Sequence, residues 1–177
     1  LYSQKAGVTA GVLAAATPWV AYLAGIAYVE PGMLAMGMLA LGAMLRAAHV
    51  GSPGQSNRVL NLKSPFSIAL SERWVIAAGL LAGFACGYKY TAVPLIAAPL
   101  GVVPLLTSRS WAQPLRRIGL FAVAALLVFS PWLIRNVVNT GNPVFPLAYS
   151  VFGAKPGVWD DVLEERWQRG HGMEGAA

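Results

Sequence analysis

Three ionisable residues stand where long apolar runs give out. Glu30 precedes Pro31, Lys89 lies in Gly87-Tyr88-Lys89-Tyr90-Thr91, and Arg135-Asn136 is followed by Thr140-Gly141-Asn142-Pro143-Val144-Phe145-Pro146. Arginine offers a fixed positive charge and a two-pronged donor, lysine a compact point charge, and both suit an anion such as a phosphate. Gly141, Pro143 and Pro146 cannot continue a helix, so the expectation is a membrane helix that ends at Arg135 and a loop shaped to hold something anionic. Ionisable groups at membrane depth cost about 2.5–3.5 kcal/mol each on insertion scales and are kept where they are functional or mutually paired. The competing reading is that each caps its helix at the interface, with Tyr28, Tyr88, Tyr90 and Trp132 forming an aromatic belt.

The elements that position these residues follow from composition. Hydrophobic residues make up 56% of the 177 and charged residues 11%, with a mean hydropathy of +0.57; an average soluble domain carries about 25% charge. The expected fold is an all-α, polytopic transmembrane helical bundle of about five spans, at 6–29, 32–50, 74–89, 91–108 and 118–134, followed by an outer loop with an amphipathic helix at 154–177. The first run is 24 residues from Ala6 to Val29, about 36 Å as helix and longer than the apolar part of a signal peptide. From Trp74 to Ser108 the one charge in 35 residues is Lys89, which reads as two passes hinged at that lysine. Residues 51–57, with Arg58 and Lys63 beyond, have the profile of an aqueous loop. The chain opens on Leu1 and reads as a fragment with a C-terminal part missing.

Topology follows from the basic residues. In the five-span threading one side holds eight Lys and Arg (Lys5, Arg46, Arg58, Lys63, Arg73, Arg109, Arg116 and Arg117) against Glu72, and the other holds five against six acids. The positive-inside rule puts the first side in the cytoplasm. Glu30, Lys89 and Arg135 are then expected together on the outer face of an inner (plasma) membrane. A net charge of +6 does not mean nucleic acid here, because the basic residues are scattered between apolar spans. The lone Cys86 excludes an internal disulfide, and His49 and His171 fall on opposite sides and cannot share a metal. Asp160, Asp161, Glu164 and Glu165 oppose Trp159, Val162, Leu163 and Trp167 at helical spacing, which reads as a helix lying on the bilayer. Gly79, Gly83 and Gly87 at four-residue spacing suit either close helix packing or a groove for a lipid tail, and packing is the preferred reading.

Two segments carry a resemblance. Ala78-Gly79-Leu80-Leu81-Ala82-Gly83-Phe84-Ala85-Cys86-Gly87-Tyr88-Lys89-Tyr90-Thr91 resembles a glycine-rich helix of the GT-C glycosyltransferases that use a lipid-phosphate sugar donor. Ser130-Pro131-Trp132-Leu133-Ile134-Arg135-Asn136 with the 140–146 loop resembles a helix and loop of the dolichyl-phosphate-mannose mannosyltransferase-like and RgtA-like members. Tyr28-Val29-Glu30 is similar to that superfamily's acidic turn between two middle helices. The resemblance covers most of the chain up to about Gly153.

It implies an enzyme that moves a hexosyl or pentosyl group from a polyprenyl-phosphate carrier to an acceptor glycan, lipid or protein on the outer face, with inversion. Glu30 matches the second acidic position, where metal coordination, ordering of a loop and acceptor binding are all open, so a divalent metal stays open as a cofactor. The main catalytic carboxylate of that group has no match here and is expected upstream. A lipid phosphate gains negative charge as it leaves, so Lys89 and Arg135 would stabilise the transition state, with Asn136, Tyr88, Tyr90 and Asn142 as further donor-binding candidates. A secondary transporter, with Glu30 and Lys89 as a coupling pair, and a non-catalytic polytopic membrane subunit are the alternatives.

Overall fold

A computed structural model describes residues 3–25, 29–50, 70–107 and 112–172. Tyr28, the loop with Arg58 and Lys63, Arg109 and Glu174 lie outside the described residues. Those described fold as helices, with no strand among them: α1 (Gln4–Ala16), α2 (Pro18–Gly25), α3 (Val29–Val50), α4 (Leu70–Tyr88), a π-helical turn (Val93–Ala97) leading into α5 (Ala98–Thr107), α6 (Ala112–Thr140), α7 (Tyr149–Phe152) and α8 (Asp161–Gly170). The chain divides into two compact units, Leu1–Phe129 and Ser130–Ala177, with the boundary inside α6.

Among the described residues, three helices are long and apolar enough to cross a membrane: Val29–His49, Leu70–Tyr88 and Gln113–Thr140. Their outer surfaces carry exposed Leu39, Leu41, Phe84, Val123, Leu126 and Leu127. Apolar side chains turned outward over whole helices suit a hydrocarbon surround rather than water.

The single helix expected at 6–29 is corrected by a break at Thr17. Pro18 has no N–H to donate, and the residue before a proline is pushed out of the helical region; Thr17 accordingly takes φ −67° and ψ 117°. The result is two helices of 13 and 8 residues, each shorter than a crossing needs. The pass expected at 91–108 is also shorter, an apolar helix at Val93–Leu106 of about 21 Å, opened by a π-helical turn around Pro94 and holding Pro104 inside α5.

In the first unit α3 and α4 pack against each other as an antiparallel pair: Lys89 meets Glu30 at one end and Arg46 lies over Trp74 at the other. From 30 to 46 is about 24 Å of helix. The core between them is built of small residues, with Ala40, Ala43, Met44 and Ala47 facing Val75, Ala78 and Ala82, joined by Leu100 and Phe121. Small side chains let helix backbones approach in a medium where burial itself supplies little drive.

Helix α6 lies as close on another face of α4. A Cβ placed on Gly79 would stand 2.5 Å from the Phe121 carbonyl oxygen, and one on Gly83 would meet the Ala125 carbonyl oxygen, whereas one on Gly87 would meet nothing within 4 Å. Residue 79 matches 121 and 83 matches 125, so α4 and α6 run in the same direction through this contact. The π-helical turn and α5 therefore carry the chain back to the start of α6. Packing is borne out for Gly79 and Gly83, and Gly87 has no part in it.

Gly79→Ala and Gly83→Ala are expected to lower stability in detergent by about 1–3 kcal/mol each, because the methyl group meets rigid backbone. Gly87→Ala is expected to be neutral or slightly stabilising, and thermal unfolding followed by tryptophan fluorescence reads the contrast.

Candidate functional site

Glu30 lies in the first turn of α3, and Lys89 directly follows the last residue of α4. Lys89 Nζ donates to Glu30 Oε1 at 2.6 Å, with the lysine side chain 45% and the glutamate 22% exposed. Glu30 Oε2 is buried with no hydrogen-bond partner among the described residues. A carboxylate oxygen removed from water without a donor is costly, so Glu30 Oε2 gains from any hydroxyl or N–H that reaches it once its covering side chains move aside.

The segment after α4 turns tightly, with Ala92 N–H donating to the Lys89 carbonyl at 3.0 Å and Val93 N–H to the Tyr90 carbonyl at 2.9 Å. This turn holds Lys89 beside α3. Gly32 makes room for the Tyr88 ring, whose Cε1 would be 2.8 Å from an added Cβ. Tyr88 remains 45% exposed, with one part of its ring on α3 and the rest available. Tyr90 meets Phe129 edge-on at 6.2 Å, so it braces the turn against α6. Below the pair a cleft of about 320 Å³ opens between α4, α5 and α6, lined by Gly83, Cys86, Val93, Gly101, Phe121 and Phe129 among others. No charged residue lines it.

In the second unit the helix end expected at Arg135 is corrected, because α6 continues to Thr140. Nothing from Arg135 to Thr140 breaks a helix, and Pro131 is accommodated inside it. The break comes at Gly141, whose φ of +83° favours glycine. Arg135 is an exposed helical residue with its Cζ 5.3 Å from the Trp132 ring centroid.

The loop beyond is tied down by the residues its sequence made prominent. Asn142 is fully buried; its Nδ2 donates to the Leu147 carbonyl at 2.8 Å and its Oδ1 accepts from Val144 N–H at 2.9 Å, the self-bonded turn that asparagine favours. Asn136, also buried, donates from Nδ2 to the Pro143 carbonyl at 3.2 Å. The Asn136 amide holds the loop onto the helix end, and the Asn142 amide closes the loop on itself. The Phe145–Pro146 peptide is cis.

Lys155 is a contributor that sequence reading passed over. Its backbone N–H donates to the Thr140 carbonyl at 2.7 Å and its Nζ to the Val138 carbonyl, a cation on the last carbonyls of a helix.

Helix α8 forms within the 154–177 stretch, but Trp159, expected on its apolar face, lies ahead of the cap. Asp160 caps it by accepting from Leu163 N–H at 2.8 Å, and Trp159 Nε1 donates to Glu164 at 2.9 Å. Phe145 packs edge-on to Trp159 at 5.1 Å, joining loop and helix. The Tyr149 hydroxyl donates to Asp161 at 3.2 Å; desolvation first, then that bond and the surrounding carboxylates, raise its pKa above the ordinary tyrosine value. Among the described residues no group of three or more His, Cys, Asp or Glu could hold a metal ion, and Glu30 is engaged by a lysine. His171 packs on Trp167.

The structure thus brings Glu30, Lys89 and Tyr88 together in the first unit and Arg135, Asn136 and Asn142 into the second. A family model matches residues 66–160, just over half of the chain. The chain belongs to this family, described as Domain of unknown function (DUF8201). The DUF8201 match runs from ahead of α4 to the cap of α8, so it contains Lys89 and Arg135 and leaves Glu30 upstream. No curated protein and no solved structure matches the chain.

Asn142→Ala removes two buried hydrogen bonds of about 1 kcal/mol each and is expected to speed proteolytic cleavage in the 141–148 turn by roughly tenfold or more. A tyrosine whose folded-state pKa is raised keeps its stabilising contact below the ordinary value and loses it as pH climbs through the raised one. Tyr149→Phe should therefore delete a late step from the tyrosinate absorbance titration and slightly lower thermal stability at neutral pH, where the hydroxyl bond to Asp161 is intact.

Proposed function

We propose that this DUF8201 protein is a membrane glycosyltransferase that takes a sugar from a polyprenyl-phosphate carrier. The observation that carries this reading is the Lys89–Glu30 pair at 2.6 Å, held at the end of two membrane-length helices with one carboxylate oxygen unfilled. A cation in that place offsets the charge that builds on a departing lipid phosphate, and no general acid is needed for such a leaving group. Glu30 Oε2 is an acceptor for a sugar or acceptor hydroxyl. The half-exposed Tyr88 ring offers the apolar face on which a pyranose stacks. The uncharged cleft beginning one turn from Lys89 suits a prenyl chain.

In this reading the chain threads the bilayer five times, with α1 and α2 sharing the first crossing and residues 93–106 making a short fourth. The Lys89 end faces outward and the arginine-rich end faces the cytoplasm, following the positive-inside rule. The second unit supplies its own exposed cation in Arg135, suited to bidentate contact with phosphate oxygens. Asn136 and Asn142 act by holding the loop that follows it. A transporter would need its charges near mid-membrane with access from both faces; a pair at helix ends favours chemistry at one rim.

The test is sugar transfer from radiolabelled polyprenyl-phosphate hexoses and pentoses by the full-length protein in proteoliposomes. Lys89→Met and Arg135→Ala are each expected to lower turnover by about 10²–10³-fold while the protein still inserts, and Glu30→Gln to lower it with a raised acceptor KM. Unchanged turnover in both cation variants would overturn the assignment.

A further inference from the structure

We infer that the opposite, arginine-bearing end of the first unit is a binding surface for an anionic glycerophospholipid. Among the described residues, three of the four guanidinium groups there are anchored around the first turns of α4 by contacts from two other helices. Arg46 of α3 lies 5.5 Å from the Trp74 ring centroid, Arg116 of α6 pairs with Glu72 at 2.5 Å, and Arg117 reaches Ser71 Oγ at 3.4 Å. Arg73, between Glu72 and Trp74, is exposed. Glu72 is the one carboxylate among them; its side chain is 8% exposed and already joined to Arg116, whose own side chain is 63% exposed. Among the described residues, four positive charges against one covered negative charge make a surface that attracts anions.

What makes the partner a lipid is the apolar surface beside each arginine. Leu45 (41% exposed), Leu70 (39%) and Leu115 (62%) adjoin Arg46, Ser71 and Arg116 in sequence and continue onto the membrane-length helices. A ligand that fits both parts has an uncompensated phosphate at one end and acyl chains at the other. A zwitterionic headgroup brings an amine to the same arginines and is disfavoured. Guanidinium groups already held by a ring, a carboxylate and a hydroxyl lose less freedom on binding, which turns general attraction into a localised site. Lipid binding at this end does not depend on sugar transfer at the other.

Native mass spectrometry of the full-length protein in detergent, titrated with phosphatidylglycerol and phosphatidylcholine of equal chain length, tests this. Phosphatidylglycerol is expected to bind more tightly, and Arg46→Gln and Arg73→Gln to weaken it by about fivefold each, the worth of one basic residue at a charged membrane surface. Both substitutions leave the Arg116–Glu72 pair intact, and an unchanged thermal midpoint verifies folding. Arg166→Gln with Arg169→Gln on α8 removes as much charge elsewhere and is expected to change nothing. Equal affinity for the two lipids, equal weakening by the α8 substitutions, or equally tight binding of glycerol phosphate without acyl chains would each overturn the assignment.

Discussion

Close packing of small-residue helix faces governs where the charges of α3 and α4 end up. With Ala40, Ala43 and Ala47 against Ala78 and Ala82, the backbones of α3 and α4 approach closely, and Gly79 and Gly83 let α6 do the same on another side. In hydrocarbon such contact stands in for the burial drive available in water. Once the register is set, Glu30 must face Lys89 and Arg46 must face Trp74. The ionisable side chains of these helices are thereby confined to their two ends, where Lys89 pairs with Glu30 and Arg116 with Glu72.

The two ends have opposite chemical character. One offers a carboxylate and an amine with tyrosines alongside and an uncharged cleft beneath, a mixture suited to a ligand that is part sugar, part phosphate and part hydrocarbon. The other offers several arginines and one covered acid beside leucines, a mixture suited to holding the protein in an acidic leaflet. The second unit follows a different principle. Its loop is held by backbone-directed polar side chains, Asn136, Asn142 and Lys155, and by the Phe145–Trp159 contact, so it keeps its shape without a large core.

Much of the site was legible from residue type and spacing. The hinge at Lys89, the acidic residue at the start of α3, the loop after α6 and the amphipathic α8 all follow from local rules of proline, glycine and helical period. Three features were not legible. The break at Thr17 is a local effect of Pro18, overridden in reading by the length of the apolar run. The extension of α6 past Arg135 is hidden by the charge there, although helices stop at backbone breakers and charges only tend to follow. The inward turn of Asn136 and Asn142 depends on the path of the loop, which no spacing reveals.

By itself the sequence determined that the chain is helical and suited to a membrane, because sustained apolar runs punctuated by Pro and Gly leave the backbone no other way to satisfy its hydrogen bonds in hydrocarbon. It also determined which ionisable residues stand at the ends of those runs. Only the tertiary structure decided that Lys89 meets Glu30 across 59 positions of chain, that one glutamate oxygen stays open, and that two conspicuous asparagines serve the loop. Those outcomes depend on helix register and on the direction each side chain takes after packing, and both are set by contacts between residues far apart in the chain.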